Sequence, residues 1–171
     1  MRRAVIVAVL SMGMIAVGAA PANGAATRAE YIAQVDPICE SFVGTHDAAV
    51  KAYNKDAKRW EHLAGKGTLK AWLKATRRAS HSLTRLTQIE ESLYEAFAAV
   101  PPLAADAVTI GTWLDDRRRS TALSASAAAA LNRPVPEIGK VFKQIKHANA
   151  ALAAADRAIE GFGFQVCGVI I

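Results

Sequence analysis

The longest regular pattern of apolar positions covers residues 68–100 and predicts one amphipathic helix. Inward positions recur there at alternating spacings of three and four residues, the period of a helix that buries one stripe against neighbouring helices. These positions are Trp72, Thr76, Ala79, Leu83, Leu86, Glu90, Leu93, Phe97 and Val100. The residues between them are mostly polar or charged, so we expect one buried face and one face in water.

Three further segments show the same spacing and are separated by short breaks that contain glycine or proline. The first contains Asp36-Pro37, which is either an N-cap followed by proline or a proline inside a helix that begins near Thr27. It ends at Gly65-Lys66-Gly67, and the other two segments cover residues 103–131 and 136–160. Because short connections make neighbouring helices antiparallel, the sequence predicts an all-α, up-down-up-down four-helix bundle.

Positive charge followed by an apolar run identifies residues 1–26 as a secretory signal peptide. Arg2 and Arg3 precede the apolar stretch 4–16, and small residues fit a cleavage site near residue 22 or residue 26. The alternative is an uncleaved membrane anchor, but the apolar run is shorter than the roughly 20 residues of a membrane span. We therefore expect no transmembrane span in the mature form. Residues 27–171 are expected to form a single domain, secreted or held in the cell envelope.

Cys39 and Cys167 are the two cysteines of the chain. In an oxidising compartment two such cysteines pair by default, and the alternative is two buried free thiols. The predicted topology brings the start of helix one and the end of helix four to the same end of the bundle. The sequence therefore predicts a disulfide that joins the start of helix one to the C-terminal tail, at what we call the disulfide end.

Both termini resemble a group of small exported helical proteins of high-GC actinobacteria. The resemblance rests on Tyr31-Ile32-x-x-x-Asp36-x-Ile38-Cys39 near the start and on Gly161-Phe162-x-x-x-x-Cys167-Gly168 at the end. The middle of the chain shares only the helical pattern. Since this group has no characterised activity, the resemblance implies secretion and a terminal cysteine pair, and it carries over no catalytic residue.

Charge is distributed unevenly between the two ends of the predicted bundle. The chain has a formal net charge of +6, and the end that holds the loops after helices one and three carries thirteen basic residues against three acidic ones. We call this end the basic end. Helices two and four place bases first and acids last, against the preference of the helix dipole. Two interpretations stay open: an anionic partner compensates this arrangement, or acidic and basic groups pair locally on a solvated surface. The predicted partner-binding residues are Lys66, Lys70, Lys74, Arg77, Lys140 and Lys143.

Catalytic and cofactor chemistry has little support in the sequence. None of the four histidines stands in a Glu-x-x-His motif, and neither a glycine-rich phosphate loop nor Gly-x-Ser-x-Gly occurs. We therefore expect no catalytic residue, metal or cofactor, although an unrecognised enzyme stays open as a third possibility. Nucleic acid is not an expected partner, because the basic residues lack interleaved aromatic side chains.

Two features of the predicted interior leave alternatives open. Trp60, Trp72 and Trp113 lie at inward positions and are either ordinary core or the lining of a ligand cavity. Glu90 is either a buried polar partner of Arg117 on the next helix, or it lies at a local stutter of the apolar spacing where Ile89 takes the inward position. The pattern favours the stutter.

The sequence thus predicts an exported, non-enzymatic bundle that binds an anionic partner through its basic end. That partner would be an anionic cell-envelope polymer, a lipid headgroup or an acidic protein. The alternative is a carrier of a small apolar ligand or lipid in the bundle interior.

Overall fold

Four long helices form the part of the chain, residues 25–170, that the computed structural model describes; the predicted signal peptide lies almost entirely outside it. A single helical turn follows them near the C-terminus. The elements are α1 Arg28–Leu63, α2 Leu69–Ala98, α3 Ala107–Leu131, α4 Ile138–Ala158 and α5 Cys167–Ile170. Residues 25–170 contain no strand. Each long helix packs against the next one along the chain, so the predicted all-α, up-down-up-down bundle is confirmed.

Helix α1 begins at the first of its two predicted starts. Thr27 is its N-cap, and the Glu30 side chain accepts back from the Thr27 N–H, which completes a capping box. Pro37 lies inside the helix, so the prediction that α1 begins with Asp36 as its N-cap is wrong. The Asp36 carboxylate instead accepts hydrogen bonds from backbone N–H groups of the C-terminal tail, at 3.0–3.1 Å. These donors belong to Gln165, Val166 and Cys167.

The predicted seam of α2 faces the bundle interior. Thr68 is the N-cap, and its hydroxyl accepts from the Ala71 N–H at 3.2 Å. All nine inward positions are buried or half-buried. Against α3 the backbones come close enough for the Ser80 hydroxyl to donate to the Ala128 carbonyl at 2.8 Å. Alanines on α3, among them Ala127 and Ala128, leave the room for this approach.

Two apolar cores fill the bundle, one at each end. The core at the disulfide end is rich in aromatic side chains, among them Tyr31, Phe97 and Trp113. The core at the basic end contains Trp60 and Leu131 together with many alanines. Between the two cores lies a layer of polar side chains, buried except for the half-buried Glu90, which we call the polar layer: His46, Thr87, Glu90, Arg117 and Thr121.

The predicted disulfide between Cys39 and Cys167 is present, with the two sulfur atoms 2.06 Å apart. The disulfide joins the C-terminal tail to the early part of α1. It lies beside Asp36, whose carboxylate accepts the hydrogen bonds from the same tail. At the opposite end the Trp60 ring lies 6.0 Å from the Phe142 ring, which brings the end of α1 to the start of α4. Within residues 25–170 no helix is long and apolar enough to cross a membrane.

Candidate functional site

An open groove of about 1010 Å³ runs between α1 and α2 and reaches the basic end. We call it the α1–α2 groove. Most of its lining comes from the outer face of α2, which the seam leaves in solvent, and α1 supplies the opposite wall. The lining residues are Ala49, Ala52, Asp56, Leu69, Lys70, Leu73, Lys74, Arg77, Arg78, His81, Ser82 and Arg85.

The floor of the groove is apolar. Ala49 and Ala52 form it on the α1 side, and Leu69 and Leu73 form it on the α2 side. The Leu69 side chain is 70% exposed, so the apolar surface of the groove is open to solvent. Because the α1 side chains are only methyl groups, a bound molecule can approach the α1 backbone closely.

A row of exposed cations borders this floor along α2, and we call it the cationic ridge. Its members are Lys70, Lys74, Arg77, Arg78 and Arg85, with His81 among them. The row spans about 22 Å at 1.5 Å per helical residue. Asp56 is the one acidic residue in the lining. Among the ion pairs of residues 25–170, none involves a member of the ridge.

The cationic ridge works against the stability of its own helix. Lys70–Lys74 and Lys74–Arg78 are like-charge neighbours at i,i+4, each costing roughly 0.2–0.5 kcal/mol on an exposed helix. The first turn of α2 also lacks an acidic residue. Lys70 there faces the positive end of the helix dipole. An anion bound in the groove would relieve both penalties.

The structure brings together only part of the predicted binding set. Lys70, Lys74 and Arg77 lie on the cationic ridge, whereas Lys66 lies in the preceding loop. Lys140 and Lys143 are exposed on α4, at the same end of the bundle but outside the groove. The ammonium of Lys140 lies 3.6 Å from Glu137, which also pairs with Arg133.

Three ridge residues lie outside the predicted binding set: Arg78, His81 and Arg85. The signal was present in the sequence. Cations recur along α2 at intervals of three and four residues well beyond Arg77. The predicted binding set grouped cations by the end of the bundle at which they lie. The groove instead runs along α2, so cations farther along this helix were left out of the set.

The three tryptophans belong to two different cores. Trp113 is fully buried in the core at the disulfide end, with its ring 4.5 Å from that of Phe97. Trp60 and Trp72 belong to the opposite core, and Trp72 also lines a small groove at the α1–α2 loop. The positions of the residues along their helices explain this separation. Trp60 and Trp72 lie near the loop between α1 and α2, whereas Trp113 lies near the start of α3.

The polar layer settles the position of Glu90. Its carboxylate accepts from the Thr121 hydroxyl at 2.8 Å, and His46 Nε2 lies 3.8 Å away. Ile89 lies on the outer side of α2, in a second groove beside Phe42. The favoured stutter is therefore wrong. Arg117 is buried on the next helix, but its guanidinium donates to Asp156 on α4 rather than to Glu90.

Within residues 25–170 no three side chains of histidine, cysteine, aspartate or glutamate group closely enough to hold a metal ion. The chemistry that the α1–α2 groove offers is positive charge beside an apolar floor. Comparison with family models, curated proteins and solved structures gave no match to this chain.

Proposed function

We propose that this protein is exported and binds an anionic partner at its basic end, through the cationic ridge. The observation that carries the proposal is a row of five exposed lysines and arginines that form no ion pair with an acidic side chain of residues 25–170. The partner is an anionic envelope polymer, a lipid headgroup or an acidic protein.

The electrostatics of clustered surface charge support a role for the ridge in binding an anionic partner. Exposed charges act over about 8–10 Å at physiological ionic strength. Clustered charge of one sign accelerates the encounter with an opposite charge and makes binding depend on salt. The ridge consists of flexible side chains on one rigid helix, so it suits an extended anionic surface better than a single small anion.

Two features support export. The disulfide between Cys39 and Cys167 is of the kind that persists in oxidising compartments. The charge and apolar pattern of residues 1–26 is that of a secretory signal peptide. Both features agree with the resemblance of the chain termini to small exported helical proteins.

Matched charge variants test the proposal. The ridge variant K70Q/K74Q/R77Q and the control variant R118Q/R119Q/R157Q each remove three exposed positive charges, so their net charges are equal. The probes are vesicles that contain phosphatidylglycerol and, separately, poly-L-glutamate, at low and high salt. Exposed ion pairs contribute about 0.2–1 kcal/mol each. We therefore expect the ridge variant to bind roughly tenfold more weakly than the wild type, and high salt to abolish binding of the wild type.

The control variant should bind nearly as well as the wild type. Equal weakening of both variants would mean that net charge alone attracts the probes, which contradicts a role for the ridge. Binding that is unchanged at high salt would contradict the electrostatic proposal as a whole.

A further inference from the structure

We infer that the occupant of the α1–α2 groove is an acidic amphipathic helix of a partner protein, lying lengthwise between α1 and α2. This inference rests on the proposed function and narrows it to one partner class. An acidic face of that helix would meet the cationic ridge, and an apolar face would cover the floor of the groove.

The apolar floor is the first observation for a partner of this kind. Contact with an anionic polymer requires cations alone and gives no reason for an exposed leucine beside them. Leu69 and Leu73 nevertheless lie next to Lys70 and Lys74 in the same groove. A partner that uses the whole lining must offer acidic and apolar groups side by side, which an amphipathic helix does.

The length and spacing of the ridge are the second observation. The groove follows α2 from Leu69 to Arg85, about 24 Å at 1.5 Å per residue. A second groove shares Arg85 and continues between the same two helices to Ser92, which extends the path to about 35 Å. Ridge cations recur about once per helical turn, the interval at which acidic residues at i,i+4 recur on a facing helix.

The open shape of the groove distinguishes a helix from a lipid chain. Sites for small molecules enclose about 70–90% of the ligand surface. This groove is open along its length, and Ala52 and Leu69 on its floor are exposed. An acyl chain lying there would keep much of its surface in water, whereas an amphipathic helix needs to bury only one face. The alanines on α1 allow the backbone of such a helix to come close.

Two peptides of identical composition test the inference. One is about 18 residues long, enough to follow the ridge, with glutamates on one helical face and leucines on the other. The second has the same residues in an order that destroys the two faces but keeps the net charge. We expect the amphipathic peptide to bind the disulfide-bonded protein at least tenfold more tightly than the scrambled one, and to gain helical circular dichroism on binding.

A pair of groove variants locates the contact. Ala52 and Ala48 are both exposed on α1, but only Ala52 lines the groove. Ala52→Trp should weaken binding of the amphipathic peptide roughly tenfold by filling the floor, as truncating or blocking the centre of an interface does. Ala48→Trp should leave binding unchanged. Unaltered circular dichroism and melting of both variants show that the bundle is intact.

The possible outcomes separate this inference from the proposed function. Equal binding of the two peptides, together with salt-dependent binding of anionic vesicles, would overturn the helix-docking inference and leave the proposed function standing. Binding of oleate that Ala52→Trp blocks, with no binding of the amphipathic peptide, would also overturn it. Failure of both peptides and of the vesicles would overturn the inference and the proposed function together.

Discussion

Arg117 is the largest polar side chain in the interior, and its surroundings explain how a charge is tolerated there. Its side chain is 1% exposed and donates to Asp156 Oδ1 at 2.6 Å, while the Asp156 side chain is 58% exposed. Burial lowers the pKa of Arg117. Electrostatic interactions with Tyr94, Asp156 and Glu90 oppose that shift. The guanidinium is thus held by an acid that is itself solvated.

Asp156→Asn is predicted to destabilise the fold by about 1–3 kcal/mol, because it leaves a buried guanidinium without its anion. This is less than the roughly 3–5 kcal/mol of a fully buried pair, since Asp156 is solvated. Arg117→Met, which removes the buried charge itself, should cost less than Asp156→Asn. Urea denaturation measures both, with the exposed Asp115→Asn as control. Equal stability of Asp156→Asn and wild type would contradict the role given to this pair.

The ion pair between Arg28 and Asp106 predicts how stability depends on acid. Arg28 donates to both carboxylate oxygens of Asp106, and these bonds hold the pKa of Asp106 below its usual range. A carboxyl whose folded pKa is depressed adds stability above its unfolded pKa of about 4, and this stability is lost as pH falls through the folded pKa.

We therefore expect wild type to exceed Asp106→Asn in stability near pH 6, and the difference to shrink steadily below about pH 4. Denaturant unfolding at several pH values measures this difference. A difference that is the same at pH 6 and at pH 2.5 would contradict the assignment of the depressed pKa to the Arg28 pair.

At the scale of single elements, periodicity predicts which face of a helix is buried but not how neighbouring helices meet. The α2 seam could be predicted because burying one stripe requires the observed spacing. Glu90 and Ile89 could not be distinguished, because adjacent residues differ by about 100° and a small drift of the helix decides between them. The start of α1 was ambiguous for a similar reason, since only tertiary contact shows that Asp36 caps the tail.

The α1–α2 groove could not be predicted in full from the sequence, for a related reason. Its cations could be located on the outer face of α2 from spacing alone. That Ala49 and Ala52 lie opposite Leu69 and Leu73 depends on the register between two helices, which no local pattern encodes. The apolar half of the site was therefore missed, and the basic half was found in part.

The cationic ridge predicts a conflict between stability and binding within α2. Lys70→Glu should stabilise the bundle by roughly 0.5–1 kcal/mol at low salt, because it removes a like-charge pair and places an acid in the first turn. The same variant should bind poly-L-glutamate more weakly. Thermal melting at low salt and at about 1 M salt checks this, since screening should erase the gain. Loss of stability at low salt would contradict the account of α2.

At the scale of the whole molecule, the disulfide joins the first part of α1 to the C-terminal tail, opposite the basic end. It closes a loop with a sequence separation of 128 residues, for which chain entropy gives about 4–5 kcal/mol of stabilisation. C39A/C167A should lose stability of this order in urea, and reduced wild type should match it. Because neither cysteine lines the α1–α2 groove, the folded variant should still bind poly-L-glutamate. A loss below about 1 kcal/mol would contradict the stabilising role of the bond.

The central claim is that an anionic partner binds along α2 and the facing part of α1. Titrating ¹⁵N-labelled protein with the acidic amphipathic peptide at low salt, and following the backbone amide shifts, tests it most directly. The account predicts shifts concentrated in Ala49–Asp56 and Leu69–Arg85, with few at the disulfide end. Shifts spread evenly over all four helices, or concentrated on α3 and α4, would contradict it.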